Sequence, residues 1–358
     1  GELYGHTVGY STLLFGNQGL EATHSADLVS NRDATISGVL AAVLGGDVRP
    51  QGLRLTIEHT LQTVAHEALG DQRGSVVAVD PRTGAILAMV SNPGFDPNLL
   101  VGGGAGGVGV ALEEDPSEPL LNRATAASYP PGSTFKIITT AAAFESGVAS
   151  AGTPYPNPIE LELPGSTATI SNFNEQACGP GASVPVSTAF IHSCNTIFGM
   201  LGMELGADQL IDTSESFGFN SELPLDIRSI ASSIPSAASF EFDVPGLAQT
   251  AIGQRDVRAT PLQMALAAAA IANDGEIMVP YLVQEVFNAE AVVQKSTEPV
   301  VWLRATSPSA AAALTDLMEG VVTSGTGKRA SVPGVRMAGK TGTAEVPDAA
   351  PHAWFVGF

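Results

Sequence analysis

Apolar positions divide most of residues 51–358 into short strands and amphipathic helices. The segment LRLTIEHTLQTVAHEALG at 53–70 predicts a strand followed by a helix that ends at Gly70. The apolar residues on one face of that helix are Leu61, Ala65, Ala68 and Leu69. GSVVAVD at 74–80 and GAILAMVS at 84–91, joined by a Pro-Arg-Thr-Gly turn, predict a β-hairpin. Both runs are apolar on both faces, so we expect helices on both sides of their sheet.

Helical periodicity dominates the middle of the chain. The helical patterns lie at 133–146, 186–205, 260–273 and 307–322. Strand-like segments return at 334–345 and 352–358. Strands at both ends with helices between them predict an α/β mixed fold, in which one sheet takes its edges from opposite ends of the chain.

Turn-rich and glycine-rich segments mark the boundaries. GGDVRPQG at 45–52 predicts a joint between an appended segment, residues 1–50, and a main domain, residues 51–358. Residues 100–119 are rich in glycine and then acidic, which predicts a mobile surface loop. The chain opens in the middle of a pattern, so we expect an upstream segment in the full protein.

Composition narrows the class of protein. The chain has 358 residues, 44% hydrophobic and 15% charged, which indicates a globular protein with a sizeable core. Its formal net charge of −20 argues against nucleic acid or an anionic membrane surface as a main partner. It lacks the 18 or so consecutive apolar residues of a membrane-spanning helix. Two cysteines are too few for a cysteine-rich zinc site, and we expect no metal and no cofactor.

A serine and a lysine stand three residues apart at the start of a predicted helix. Ser133 and Lys136 lie in YPPGSTFKIITTAAAF, and residues three apart on a helix share a face, so the hydroxyl and the amine can meet. The preceding Pro-Pro-Gly places Ser133 at the helix N-terminus, where unpaired N–H groups can serve an oxyanion hole. Lys136 can act as a base only if its pKa, ordinarily about 10.4, is lowered by burial or by a second cation. A capping serine and a solvated lysine are the alternative.

Two further polar clusters interrupt the apolar pattern. Ser193 and Asn195, in VSTAFIHSCNTIFGMLG, predict a polar corner between two helices that can line one wall of a cleft. A helix cap with a locally satisfied asparagine is the simpler interpretation of this cluster alone.

The third cluster is Lys340-Thr341-Gly342-Thr343, predicted as an edge strand where the glycine allows close approach of a ligand. With the preceding residues it also completes the phosphate-loop pattern, which suggests an NTPase. That pattern requires a following helix, whereas the chain continues with a glycine, a proline and a β-rich end. The context therefore disfavours nucleotide binding.

The order Ser-x-x-Lys, Ser-x-Asn, Lys-Thr-Gly is that of penicillin-binding proteins and β-lactamases. The chain resembles a class B penicillin-binding protein, a monofunctional D,D-transpeptidase, and is most similar to the actinobacterial penicillin-binding protein A group. The matching flanks are LTIEHTLQ (55–62), VVAVDPRTGAILAMVSNPGFDPN (76–98), YPPGSTFK (129–136), GQRDVRATPLQMA (253–265), TSGTGKRA (323–330), AGKTGTAE (338–345) and HAWFVGF (352–358). The opening GYSTLLFGNQGLEA resembles the end of that family's N-terminal non-catalytic domain.

The resemblance implies a role for each matching residue. Ser133 is then the nucleophile, acylated by the penultimate D-alanine of a peptidoglycan stem peptide, and Lys136 takes its proton. Ser193 relays a proton to the leaving D-alanine, and Asn195 holds the substrate amide. The residues that face the substrate's terminal carboxylate are Lys340, Thr341 and Thr343, and Gly342 belongs to the same substrate-binding strand. Lys340 is also the second cation near Lys136, and the N–H groups of Ser133 and Thr343 form the oxyanion hole.

The resemblance also implies an architecture and a setting. The fold is an antiparallel sheet covered by helices on both faces, with an all-helical subregion. The family has a further strand and helix after the position of Phe358, and without that strand we expect the sheet to be split. The protein is expected at the extracytoplasmic face of the membrane, anchored by an N-terminal segment. Its expected partners are stem peptides ending in D-Ala-D-Ala, β-lactams, a membrane glycan polymerase and division or elongation proteins.

Other functions of the same fold remain open. They are a D,D-carboxypeptidase, which passes the acyl group to water, a β-lactamase, a β-lactam sensor and an inactive scaffold. The appended N-terminal segment favours a synthase over a β-lactamase, and the intact motifs favour an enzyme over a scaffold. Between the second and third motifs no glutamate is followed at the expected spacing by the Leu-Asn pair of a class A β-lactamase, so we expect a long-lived acyl-enzyme. A Ser-His-Asp hydrolase is disfavoured because no Gly-x-Ser-x-Gly is present.

The expected compartment bears on the two cysteines. Cys178 and Cys194 are the only cysteines and lie 16 positions apart, and an extracytoplasmic setting is oxidising. We therefore predict a disulfide that ties the Ser-x-Asn corner to the segment near Cys178. Two buried free thiols are the alternative.

Overall fold

A computed structural model describes residues 1–28, 51–101, 104–346 and 349–358. Two compact units are present. The first combines Gly1–Ala127, Pro224–Ser229 and Val279–Val300, and the second combines Ser128–Leu223, Ile230–Met278 and Val301–Phe358. The domain boundary predicted at residue 50 lies outside the described residues and stays a prediction.

Helices and strands of both units are named here in chain order. The helices are α1 (Gly5–Val8), α2 (Gly19–Thr23), α3 (Ser25–Leu28), α4 (His59–Leu69), α5 (Ala105–Glu114), α6 (Lys136–Ser146), α7 (Val186–Ile191), α8 (Asn195–Leu205), α9 (Ala207–Ser216), α10 (Val244–Thr250), α11 (Pro261–Ala272) and α12 (Pro308–Thr323). The strands are β1 (Tyr10–Thr12), β2 (Gly16–Gln18), β3 (Gly52–Leu55), β4 (Gly74–Val79), β5 (Ile86–Asn92), β6 (Pro154–Pro156), β7 (Glu160–Glu162), β8 (Thr169–Ser171), β9 (Ser183–Pro185), β10 (Glu276–Met278), β11 (Val283–Phe287), β12 (Val293–Ser296), β13 (Val301–Arg304), β14 (Gly339–Val346) and β15 (Ala349–Gly357). No helix in the described ranges is long and apolar enough to cross a bilayer.

Antiparallel pairing organises the strands of each unit into small sheets. In the first unit, β1 pairs with β2, β4 pairs with β5, and β11 lies between β12 and β3. In the second unit the pairs are β6 with β9, β7 with β8, β10 with β13, and β14 with β15. The β4–β5 hairpin confirms the prediction at 74–91. Strands β4–β5 and β14–β15 form separate two-stranded sheets, so the single sheet predicted from element order is not formed among the described residues.

Helix α4 buries a different face from the one its apolar pattern predicts. Leu61 is 40% exposed, whereas its neighbour Gln62 is fully buried. The Gln62 amide donates to the backbone oxygens of Leu3 and Met89 and accepts from the Met89 N–H at 2.8 Å. A polar side chain whose hydrogen bonds are all satisfied can be buried at little cost, so Gln62 anchors the helix where an apolar residue was expected.

The glycine-rich segment at 100–119 was predicted as a mobile loop, and that prediction is wrong for its centre. Residues 105–114 form α5, in which Ala105 and Gly109 are buried. A Cβ on Gly109 would lie 2.1 Å from the Phe15 ring, so the missing side chain makes room for that aromatic residue. Packing against Phe15 therefore outweighs the low helix propensity of three glycines.

Helix α6 forms the centre of the second unit. Its first eight residues, Lys136 to Ala143, are all buried. Small residues such as Ala141 and Ala142 let neighbouring helices approach closely, and α6 packs against α8, α9 and α12. Helix α12 also packs against β14. This core places the start of α6, the α7–α8 corner and β14 around one point.

Candidate active site

Ser133 lies in a tight turn that leads into the central helix. The turn is a 3-10 segment, Gly132–Phe135, that continues into α6. Gly132 has φ +52°, and a Cβ there would lie 2.6 Å from the Thr343 carbonyl oxygen of β14. The Gly132 N–H donates to Gly253 O at 2.9 Å. Only glycine adopts this positive φ without strain and also lacks the Cβ that would collide with Thr343. Gly132 therefore allows the turn that carries Ser133 to pack closely against β14.

Aromatic residues of β15 hold the same turn from the other side. The Trp354 indole N–H donates to Pro130 O at 2.9 Å. Tyr129 packs edge-on against His352 and Trp354, with ring centroids 4.9 and 6.4 Å away. Sequence reasoning assigned no function to this cluster, although Trp354 lies in the quoted HAWFVGF segment. Trp354 therefore hydrogen-bonds the backbone three residues before Ser133.

Ser193 and Asn195 occupy the predicted polar corner between α7 and α8. Ser193 has φ +62°, a left-handed conformation that is rare for residues other than glycine. The corner is closed by the Cys194 N–H, which donates to Ala189 O at 2.8 Å. Asn195 begins α8, and its side-chain amide donates to Ser171 O of β8 at 3.0 Å. A strained backbone held by its surroundings is often found at functional sites.

Lys136 points into this corner from α6. Its side chain is fully buried, and its amine donates to Ser193 O and to Asn195 Oδ1, both at 2.8 Å. The same amine is 3.5 Å from Ser193 Oγ. Burial, and then the positive charge of Lys340, lower the pKa of the Lys136 amine well below its ordinary value. A lowered pKa favours the neutral amine, which can accept a proton, so Lys136 has the property that a general base requires.

Lys340 approaches the corner from β14. It is fully buried, and its amine donates to Ser193 Oγ at 2.8 Å and to Thr341 O at 3.1 Å. Burial lowers its pKa to about 7. The rings of Phe198 and Phe190 lie 5.2 Å from the Lys136 amine and 5.7 Å from the Lys340 amine, respectively. The two amines therefore lie on either side of Ser193 in a buried environment lined by aromatic rings. Two positive charges repel each other strongly there, so a state with only one of the two lysines protonated is favoured.

Ser133 and Lys136 are not hydrogen-bonded to each other among the described contacts. The three-residue spacing of Ser133 and Lys136 predicts that their side chains can meet. The Lys136 amine instead donates hydrogen bonds to the Ser193 and Asn195 oxygens. Ser133 is half-buried at the start of α6, one helical turn before the lysine. Catalytic hydrogen bonds often tighten only when the substrate binds, so this geometry is compatible with a general-base role for Lys136.

The third cluster lies on a strand, which excludes the nucleotide-binding alternative. Lys340, Thr341 and Thr343 belong to β14, which is followed by β15 and not by a helix. A Cβ on Gly342 would lie 2.9 Å from the Pro131 oxygen. The glycine therefore makes room for the turn that carries Ser133, whereas the sequence predicted that it makes room for a ligand. Thr341 is half-buried and Thr343 exposed. Both can face a ligand lying along the strand.

Cys178 and Cys194 are joined in a disulfide, with their Cα atoms 5.7 Å apart. Both side chains are buried, at 8% and 3% exposure. Cys194 is the residue between Ser193 and Asn195, so the bond connects the strained corner to a second segment. The Cys178 N–H is itself held by Asn157 Oδ1 at 2.8 Å.

Thiol labelling of unfolded, unreduced protein is expected to find no free thiol. A Cys178→Ala variant should lose on the order of 3 kcal/mol of stability, because the 16-residue loop is no longer closed in the unfolded chain. Thermal unfolding with and without reductant measures this loss. Reductant should lower the melting temperature of the wild type and leave that of the variant unchanged. Two labelled thiols per unreduced chain would contradict the bond.

Comparisons with known proteins match the chain to one family over most of its length. The family model described as "Penicillin binding protein transpeptidase domain" matches residues 74–358. The peptidoglycan D,D-transpeptidase PbpA of Mycolicibacterium smegmatis is 40% identical over 370 residues, covering 100% of this chain and 74% of that protein. The ceftriaxone acyl-enzyme complex of penicillin-binding protein A from M. tuberculosis superposes with a TM-score of 0.92 at 36% identity, covering 100% of this chain and 82% of that one. A peptidoglycan synthase complex that coordinates polymerization and crosslinking contains a chain with TM-score 0.75 and 28% identity, with coverage of 86% and 56%.

Proposed function

Because the chain belongs to the transpeptidase family of penicillin-binding proteins, as a class B member of the PbpA group, we propose that Ser133 is the residue that carries its acyl group. The chain is a peptidoglycan D,D-transpeptidase, a serine acyltransferase that cross-links stem peptides and is inhibited covalently by β-lactams. The observation that carries the residue assignment is the buried Lys136 amine. It lies one turn after Ser133, is held by Ser193 and Asn195, and has a lowered pKa.

Acylation begins at the Ser133 hydroxyl. Its oxygen attacks the carbonyl carbon of the penultimate D-alanine, and its proton passes to the neutral Lys136 amine. The developing oxyanion is stabilised by the N–H groups of Ser133 and Thr343. This assignment is supported by the close approach of the Gly132 backbone to the Thr343 carbonyl group. Support for this step comes from the burial of Lys136, since a solvated lysine would be protonated at neutral pH.

Departure of the terminal D-alanine requires a proton on its nitrogen. Ser193 Oγ lies between the two amines, 3.5 Å from Lys136 and 2.8 Å from Lys340. It can pass the proton that Lys136 took from Ser133 to the leaving nitrogen as the C–N bond breaks. Asn195 holds the substrate amide, and Lys340 with Thr341 and Thr343 holds the terminal carboxylate. A positive Lys340 favours binding of that carboxylate.

The second half-reaction passes the acyl group to an amine. The amino group of a second stem peptide attacks the acyl carbon, the ester C–O bond breaks, and the amine's proton returns to Ser133 through Lys136. A β-lactam undergoes only the first half-reaction, because opening of its ring leaves the departing nitrogen attached. We propose stem peptides ending in D-Ala-D-Ala as the natural donors.

Acylation by a β-lactam is expected to stop at about one adduct per chain, with turnover much slower than acylation. The described residues between the second and third motifs offer no glutamate in the class A β-lactamase pattern to activate water. The measurement is hydrolysis of a chromogenic cephalosporin, monitored as a burst and a steady state. Steady hydrolysis at many turnovers per second would move the assignment to a β-lactamase. Rapid release of D-alanine to water from a stem-peptide substrate, without transfer to an added amine, would indicate a carboxypeptidase.

The setting and domain organisation complete the proposal. We place the protein at the extracytoplasmic face of the membrane, attached by an anchor, and the disulfide supports an oxidising compartment. A membrane glycan polymerase and division or elongation proteins are the proposed partners, supported by the similarity to a chain of a peptidoglycan synthase complex. Residues 51–358 act as the transpeptidase domain, and residues 1–50 belong to a non-catalytic domain.

A further inference from the structure

Thr341 has a partner outside the three motifs. The hydroxyl oxygens of Thr326 and Thr341 lie 2.6 Å apart, a short hydrogen bond in which either can be the donor. Thr326 is exposed, so this bond contributes little to the core. It lies in the TSGTGKRA segment after α12, to which sequence reasoning assigned no role.

The backbone around Thr326 connects it to the second motif. The Thr326 N–H donates to Ile191 O at 3.4 Å, and Ile191 ends α7 two residues before Ser193. A Cβ on Gly325 would lie 2.2 Å from the same oxygen, so a glycine is required there. The Gly325 N–H is also held by Gly320 O at 3.0 Å, which fastens the segment to the end of α12. Thr326 is therefore placed by the α7 end and contacts the third motif through its side chain.

When a carboxylate binds to Thr341, the direction of the hydrogen bond between Thr326 and Thr341 is determined. A carboxylate only accepts, so Thr341 must donate to it. The Thr341 oxygen is then free to accept from Thr326. The two hydroxyls form a chain from Thr326 through Thr341 to the anion, in which each bond polarises the next.

We propose that Thr326 is a positioning residue, which orients the Thr341 hydroxyl toward the substrate carboxylate and couples the second and third motifs. This inference rests on the proposed function, because it requires acylation by a ligand that carries a carboxylate next to the scissile amide. Thr326 itself does not touch the reacting atoms.

The test compares acylation by penicillin G with acylation by its neutral methyl ester. Thr326→Val keeps the shape of the side chain but removes its hydroxyl, and should slow acylation by the free acid on the order of 3- to 10-fold. Acylation by the ester should change less than about twofold, and Thr326→Ser should restore the free-acid rate. Equal losses on both ligands, no loss on either, or no rescue by serine would overturn the proposal.

A double-mutant cycle tests whether Thr326 acts through Thr341. Thr326→Val combined with Thr341→Val should acylate no more slowly than Thr341→Val alone, because the first change has no remaining partner to orient. Independent, multiplicative losses would instead show that Thr326 acts by another route. A wild-type protein that forms no adduct would count against the proposed function itself, whereas these outcomes concern Thr326 only.

Discussion

A Ser133→Ala protein is expected to take up no covalent β-lactam, whereas the wild type takes up about one per chain. Alanine removes the only atom that is proposed to bond to the acyl carbon, and no neighbouring group can replace it. Ser193 Oγ is also near Lys136, but it is engaged by the Lys340 amine at 2.8 Å in the strained corner. Incubation with labelled penicillin, followed by denaturing electrophoresis, measures the loss.

The matched control for this experiment is Ser239→Ala. Ser239 is exposed in the same unit, and its only hydrogen bond from the side chain in the described structure is with Ser236. This variant should label like the wild type. Ser133→Ala should unfold at nearly the wild-type temperature, since the described contacts give its hydroxyl no partner. Retention of label by folded Ser133→Ala would show that the nucleophile has been misassigned.

Loss of the Lys136 amine should slow acylation by about 10²- to 10⁴-fold, the usual contribution of a positioned base. A Lys136→Ala protein retains Ser133 and the backbone donors of the turn, so a slow residual reaction is expected. Wild-type acylation by a β-lactam at low concentration should rise with pH as Lys136 is deprotonated, and should fall again as Lys340, whose pKa is lowered to about 7, loses the positive charge that attracts the ligand carboxylate. Since burial and the charge of Lys340 lower the pKa of Lys136, this rise should lie well below the ordinary lysine range.

Stopped-flow measurements of the acylation rate at a series of pH values test this role of Lys136. The alanine variant should lose the rise that depends on Lys136 as well as most of the rate. Lys295→Ala serves as the control, because Lys295 is exposed and ion-paired with Asp27 at 3.0 Å. It should leave the rate and its pH dependence unchanged. An alanine variant at position 136 that acylates at close to the wild-type rate would exclude the lysine as the base.

Local patterns predict the secondary structure where capping and periodicity agree. The helix predicted at 260–273 is observed as Pro261–Ala272, because Thr260 caps it and a proline begins it. The hairpin at 74–91 follows in the same way from its two continuous apolar runs and the turn between them. In contrast, α5 could not be predicted, since its helix depends on Phe15, which is some ninety positions away, filling the space above Gly109. Gln62 is a similar case, in which distant backbone groups of Leu3 and Met89 decide burial.

The candidate site shows the same division between local and distant information. Spacing on a helix relates Ser133 to Lys136, and the polar interruption at Ser193 indicates a corner. The observed partners of Lys136 are 57 and 59 positions away, and Lys340 is 147 positions from Ser193. Spacing alone cannot reveal such pairs, so the roles of these residues came from the resemblance to a family. Thr326 and Trp354 received no role because their contacts appear only in the folded chain.

Mapping the site of acylation tests the central claim most directly. The protein is incubated with penicillin G, digested without hydrolysing the ester, and its peptides are sequenced by mass spectrometry. Ser133 is expected to carry the intact mass of the antibiotic, in a peptide that contains the YPPGSTFK segment. An adduct located on Ser193 or on any other residue, with Ser133 unmodified, would contradict the account.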